Sequence, residues 1–271
     1  PATLITGFGT SIVINTMLTS MSHHFGKAAE VAIPQANGIA SIGFVAGTAL
    51  IGSIAIIFPN LWRIGLLLAL PVAIALFLLG RDKDGDEYVP DEEGPQSGKL
   101  SRTFWISWIG FVACISSEFA VSFWAAALLK ERVGSTAAIS TVAIVALGTG
   151  MGIGRWYGGL LLKRFALDTQ LLIVIAVQFV GFVAFWFSHS MGISLISLFA
   201  IGLGVSIQFA LASIRLIGFS GGRPDLAIGR TSLAAGIAIA VAPFLLGVLG
   251  DSFGISRAYI MVPLLIVIAF V

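Results

Sequence analysis

The sequence predicts an all-α fold, a polytopic bundle of membrane-spanning helices. Hydrophobic residues make up 58% of the chain and charged residues only 10%, which leaves too little polar surface to cover a water-soluble domain. Apolar runs of about 20 residues, the length of a helix that crosses a bilayer, recur from end to end. These runs lack the alternation that marks a membrane β-barrel, so only helices satisfy their backbone hydrogen bonds.

The apolar runs define nine predicted spans, separated by short polar joints. In chain order they cover residues 2–20, 37–57, 62–80, 104–128, 137–157, 170–187, 191–214, 232–249 and 257–271.

Basic residues are distributed unevenly between the predicted spans. The odd-numbered loops and their flanks hold 11 of the 15 lysines and arginines, and the even-numbered ones hold four. Loops rich in basic residues stay in the cytoplasm, so the odd-numbered loops are predicted to be cytoplasmic. We therefore expect a multi-pass integral protein of the plasma (inner) membrane.

Two pairs of spans share short sequences at one common offset. Residues 7–12 (GFGTSI) resemble residues 202–207 (GLGVSI), and residues 50–54 (LIGSI) resemble residues 245–249 (LLGVL); both pairs are 195 residues apart. Six spans separate the members of each pair, and because six is even the copies run in the same direction through the membrane. The pattern predicts two parallel six-helix repeats.

The repeat predicts how the chain is divided. Counterparts of the spans in residues 104–187 would precede Pro1, so the first repeat is expected to be truncated. Residues 1–80 are predicted to form a partial N-terminal bundle of about three helices and residues 104–271 the C-terminal six-helix bundle. Residues 81–103, with seven acids and two prolines, have the composition of a flexible cytoplasmic linker.

Two parallel six-helix bundles joined by a longer cytoplasmic loop resemble the major facilitator superfamily, with these spans as its fourth to twelfth helices. The glycine-rich fifth helix of that family resembles the segment with Gly43, Gly47 and Gly52, and its copy carries Pro243 and Gly247. Small residues allow helices to approach closely and to slide, so these five positions are predicted to pack helices. The resemblance implies secondary transport by alternating access.

A charged motif that the family carries after its eighth helix is altered in this chain. The family has glycine, three residues, aspartate and a basic group; here Lys163 occupies the position of the acid and Arg164 follows it. A related pattern includes Asp251, on the opposite side of the membrane, where a simple helix-connecting turn is the alternative. We interpret these three residues, with Arg155, as candidate gating groups.

Glu118 is the main candidate for binding substrate or a proton. It lies 14 residues into the fourth span, about 21 Å along a helix, and an ionisable group within hydrocarbon costs at least a few kcal/mol. Ser107, Cys114 and Ser122 share its helical face, which is predicted to line a wet cavity. The alternative is a protonated acid that hydrogen-bonds to a neighbouring helix.

Three further side chains have both a functional and a structural interpretation. Arg155 stands two residues from the inner end of its predicted span, where extension of the side chain to the cytoplasmic surface is the simpler interpretation. Gln178 lies in mid-span and either binds a ligand or joins helices. Trp124 either stacks on a sugar or aromatic substrate or anchors its helix at the interface.

One buried acid with few buried bases favours a neutral or cationic solute, sugar-like or drug-like, moved by a proton-coupled carrier. The alternatives are a receptor or scaffold of the same fold that does not transport, and a membrane-embedded transferase. A transferase needs converging catalytic groups or metal ligands, and no span holds such a cluster. The sequence thus predicts no enzyme, no cofactor, no metal and no nucleic-acid partner; the expected partners are a small-molecule solute, a proton and the lipid bilayer.

Overall fold

The computed structural model describes residues 29–58, 60–67, 69–80, 96–134 and 137–270, with Met17, Met21 and His24 as isolated positions. Within these ranges every regular element is a helix and no strand occurs, which confirms the predicted all-α fold. Apart from Met17, the first predicted span lies outside the described residues, as do residues 81–95 of the linker.

Eleven helices cover the described ranges. They are α1 (Ala29–Ile57), α2 (Trp62–Leu67), α3 (Ala69–Gly80), α4 (Arg102–Val133), α5 (Ala137–Leu162), α6 (Leu167–Phe187), α7 (Met191–Val205), α8 (Gln208–Gly218), α9 (Pro224–Phe253), α10 (Ile255–Ala258) and α11 (Met261–Ala269).

Membrane-crossing segments recur along the described part of the chain. Six of them are long and apolar enough to cross a bilayer by length and composition; they are Gln35–Ile57, Arg63–Gly80, Arg102–Val133, Leu167–Phe187, Met191–Gly218 and Pro224–Phe253. The helix α5 runs alongside them over 26 residues. The predicted spans therefore correspond to helices, but the seventh is divided into α7 and α8, and the ninth into α10 and α11.

The longest helix, α4, is defined by capping groups at both ends. The Ser101 hydroxyl accepts a hydrogen bond from the Phe104 amide at 3.1 Å, the usual N-cap arrangement. At the other end Gly134 has φ 64° and its amide donates to the Lys130 carbonyl, which closes the last turn as only a left-handed residue can. Between these caps α4 packs against α5, α8, α9 and α11, so it is the central helix of this part of the fold.

The helix α7 packs between α5 and α6 so closely that backbone atoms of neighbouring helices are in contact. A Cβ atom on Gly202 would collide with the carbonyl oxygen of Leu147 in α5, and one on Gly204 would lie 2.5 Å from the backbone nitrogen of Gln178 in α6. Only glycine leaves room for helices to approach this closely. The α5–α7–α6 layer is therefore held by glycine-lined backbone contact.

Two tryptophans join α4 to α9. The indole nitrogen of Trp108 donates to the Arg230 carbonyl at 2.9 Å, and that of Trp124 donates to the Pro243 carbonyl at 2.9 Å. Residue numbers rise together on both helices, so α4 and α9 run in the same direction, as the fourth and eighth spans, four steps apart, must.

The contact between the N-terminal helices and the rest of the described chain is made by α1 and α5. A Cβ atom on Gly148 would lie 2.9 Å from the side chains of Phe44 and Val45, and one on Gly52 would collide with the side chain of Thr141. Glycines on both helices thus permit close approach here too.

Candidate functional site

The carboxylate of Glu118 is buried in the middle of α4 without a partner. The residue is 8% exposed, and it makes no hydrogen bond or ion pair within the part of the chain that the structure describes. Its predicted face companions Ser107 and Cys114 are also buried, whereas Ser122 is half-buried. An unsatisfied carboxylate in this environment is costly, so this position calls for a ligand, a proton or water.

Arg155 lies farther from the end of its helix than predicted, and its guanidinium is directed to neighbouring helices. The helix α5 continues to Leu162, which places Arg155 seven residues from its end (162 − 155) rather than two. Its Nη1 donates to the Ser41 hydroxyl at 2.6 Å and its Nε donates to the Ser206 carbonyl at 3.3 Å. Arg155 therefore joins α1 in the N-terminal segment to the turn between α7 and α8.

Glu118 and Arg155 lie at similar depth in the membrane. The two helices are joined by residues 134–136; Glu118 is 15 residues from Val133 (133 − 118) and Arg155 is 18 residues from Ala137 (155 − 137). At about 1.5 Å per residue these depths differ by about 4.5 Å. The positive charge of Arg155 attracts the Glu118 carboxylate, although the two form no ion pair among the described residues. The structure thus places at a similar level two charges that the predicted spans placed at different levels.

Gln178 is part of a buried chain of hydrogen bonds across three helices. Its Nε2 donates to the Ser117 hydroxyl at 2.8 Å, and its Oε1 accepts from the Gln208 Nε2 at 2.8 Å. Ser117 donates in turn to the Cys114 carbonyl at 2.8 Å. This network fixes α4 at the residue next to Glu118, so the observed contacts are those of a residue that joins helices.

Gln208 carries an unsatisfied atom at the start of α8. The residue is 1% exposed, and its Oε1 accepts no hydrogen bond from the described residues. Since a buried amide oxygen without a donor costs about 1–3 kcal/mol, the network is incomplete at its α8 end.

Trp124 lies in a notch of α9. Its indole donates to the Pro243 carbonyl, and a Cβ atom on Gly247 would lie 2.8 Å from its Cζ2 atom. Trp124 is six residues beyond Glu118, about 240° around the helix, so it occupies another face. The predicted packing residues Pro243 and Gly247 therefore both contact the indole ring of Trp124.

The family described as the Major Facilitator Superfamily matches residues 2–221 of the chain. This chain belongs to the major facilitator superfamily. Comparison with curated proteins gives no match. Membership makes the protein an integral multi-pass membrane protein of a family that generally transports small solutes across membranes and does not catalyse reactions.

The remaining candidate gating residues of this major facilitator superfamily protein lie at helix ends and are not brought together. Lys163 and Arg164 are exposed in the turn that follows α5, and the Arg164 guanidinium lies 5.0 Å from the centre of the Phe165 ring. Asp251 is exposed near the end of α9, where Gly254 with φ 83° caps the helix. This geometry is that of a helix-connecting turn, and gating by these residues stays a prediction.

The glycines predicted to pack α1 differ in their surroundings. A Cβ atom on Gly52 would meet Thr141 of α5, whereas one on Gly43 or Gly47 would meet no described atom within 4 Å. Packing by Gly43 and Gly47 therefore stays a prediction for this superfamily member.

Sequence reasoning missed three residues that complete the site. Ser41 and Ser206 hold Arg155, and Ser117 joins Glu118's helix to Gln178. Serines within apolar spans are common helix contacts, and only the adjacency of Ser117 to Glu118 pointed to this one. The pairing of Ser41 with Arg155 spans 114 residues and has no local signature.

Proposed function

We propose that this protein is a proton-coupled secondary transporter that moves a small organic solute across the plasma (inner) membrane by alternating access. The solute is neutral or cationic, sugar-like or drug-like. Membership of the superfamily supports solute transport in general, and the site geometry supports the finer points.

The observation that carries the proposal is the unpartnered carboxylate of Glu118. Buried ionisable groups in membrane helices mark substrate and ion pathways, because their cost is retained only where they act. A carboxylate without a fixed partner is suited to take up a proton or a cationic group and to release it again. Substrate and coupling-ion sites of such transporters lie near the middle of the bilayer, which is the depth of Glu118.

The movement that we propose is rocking of the N-terminal bundle (residues 1–80) against the C-terminal bundle (residues 104–271), with residues 81–103 as the linker. The contact between α1 and α5 supports it, since Gly52, Gly148 and Gly152 keep bulky side chains out of the interface. Arg155 bridges the same interface through Ser41, so it is a gating group that must release or re-form this bond as the bundles move.

Uptake by the purified protein in proteoliposomes tests the proposal. A panel of labelled sugars, amines and drug-like cations is offered with and without an inward proton gradient, and the protein is compared with Glu118→Gln. The matched control is Glu131→Gln, the same substitution on an exposed position of the same helix.

We expect gradient-driven accumulation of at least one solute, abolished by Glu118→Gln and unaffected by Glu131→Gln. Accumulation that survives Glu118→Gln contradicts the role of this carboxylate. A transport rate that does not depend on the proton gradient contradicts proton coupling and is the result expected of a facilitative carrier. Fractionation of cell membranes tests the plasma-membrane location.

A further inference from the structure

We propose that Glu118 and Arg155 are the two ends of a binding site for a zwitterionic solute, one that carries both an ammonium group and a carboxylate. This inference deepens the proposed function and rests on it, because it names the substrate class of the same site. A zwitterion is net neutral and contains a cationic group, so it falls within the neutral or cationic solutes proposed above.

The guanidinium of Arg155 has binding capacity left after its protein contacts are made. Arginine offers five N–H donors in a planar fork, and two of them are directed to Ser41 and Ser206. The remaining donors, including both on Nη2, meet no acceptor among the described residues, and Nη2 is not enclosed. A fork held in place from two sides is suited to receive a carboxylate.

The carboxylate of Glu118 has the complementary capacity. It accepts no hydrogen bond from the described residues, and an ionised carboxylate accepts several. An ammonium group supplies three donors and the opposite charge. The hydrogen bonds between Ser117 and Gln178 hold α4 at the adjacent residue, so this acceptor is presented from a fixed helix.

The two charges attract each other but are kept apart. Arg155 is tethered to α1 and to the turn before α8, and no ion pair closes between it and Glu118 in the described chain. A charge that is buried, as on the 8% exposed Glu118, is costly to leave unpaired. A simple cation would face the positive charge of Arg155 and a simple anion the negative charge of Glu118. A solute with both groups satisfies both ends at once.

Exchange transport in proteoliposomes tests this inference. Proteoliposomes that contain the protein are loaded with each of the twenty standard amino acids in turn and are offered the same compound in labelled form. Each amino acid is then compared with two matched analogues, the amine that lacks its carboxylate and the acid that lacks its ammonium group. For leucine these are 3-methylbutylamine and 4-methylpentanoate.

We expect at least one zwitterion to exchange about ten-fold or more faster than both of its analogues, since each end contributes a charge-assisted hydrogen bond. Glu118→Gln is expected to remove the preference over the acid analogue. Arg155→Lys, which keeps the charge but not the fork, is expected to reduce the preference over the amine analogue. The controls Glu131→Gln and Arg230→Lys, both exposed positions, are expected to change neither preference.

The outcomes separate this inference from the proposed function. If amines or sugars move in a Glu118-dependent way and zwitterions do not, the substrate class is wrong while the carrier stands. If zwitterions exchange equally well in Glu118→Gln and Arg155→Lys, the site is wrong. If no compound of any class moves with folded protein in the vesicles, both the inference and the proposed function are overturned.

Discussion

Adding a single methyl group at Gly202 tests the backbone contact between α5 and α7. The Cβ atom of Gly202→Ala would collide with the Leu147 carbonyl oxygen and lie 2.9 Å from the Met151 backbone nitrogen and 3.1 Å from the Gly150 Cα atom. All three neighbours are backbone, so no side chain can rotate away, and the two helices must separate. Overpacking of this kind costs about 1–3 kcal/mol.

The matched control is Gly236→Ala, in the interior of α9, where a Cβ atom meets no described atom within 4 Å. Alanine is favoured over glycine inside a helix by roughly 0.5–1 kcal/mol, and this gain is common to both variants. The difference between their free energies of unfolding therefore isolates the collision. Denaturant unfolding in detergent micelles measures it, and equal stability of the two variants would refute the claimed backbone contact.

Three further results are expected. Gln178→Leu removes the hydrogen bonds to Ser117 and Gln208, leaves the Gln208 amide nitrogen without its acceptor, and should lower the free energy of unfolding by about 1–3 kcal/mol. Adding Gln208→Leu should cost less than the sum of the single changes, and additivity in a double-mutant cycle would argue against a shared network. Trp124→Phe removes the indole hydrogen bond to α9 and should lower the free energy of unfolding by about 1 kcal/mol. Thermal unfolding measures this loss, and an unchanged stability would show that the bond does not stabilise the fold. The Arg223 guanidinium donates to the Lys99 carbonyl at 2.8 Å and should protect the peptide bond after Lys99 from trypsin. Arg223→Ala is expected to accelerate cleavage at this bond, and unchanged cleavage would contradict the protection.

Much of the fold follows from hydropathy because, in lipid, the backbone N–H and C=O groups of each span must be hydrogen-bonded within the protein. Each predicted span within the described ranges corresponds to helix, and the parallel direction of α4 and α9 agrees with their places as the fourth and eighth spans. The division of the seventh span was not predicted. Residues 206 and 207 sit within a continuous apolar run without proline, so nothing local announces the turn that Arg155 and its neighbours stabilise.

The site was predictable in part. Glu118 is recognisable because an ionisable acid in mid-span is costly in hydrocarbon, and Gln178 because a buried amide needs a hydrogen-bond partner. Arg155 was misplaced for a physical reason. Hydropathy ends a span where a charge appears, yet Ser41 and the Ser206 carbonyl, both distant in sequence, offset the cost of burying this charge. Trp124 was assigned to substrate or interface because its acceptor, a second lone pair on a helical carbonyl, cannot be read from sequence.

The hydrogen bond from Arg155 to the Ser206 carbonyl makes any rearrangement of the turn between α7 and α8 depend on the activity of water. Any step that withdraws Arg155 from this carbonyl leaves a backbone acceptor that only water can satisfy. Such a step takes up water, and osmolytes too large to enter the site oppose it by lowering water activity outside. The rate of that step then depends partly on osmotic pressure, which changes hydration and leaves the charges of Glu118 and Arg155 unchanged.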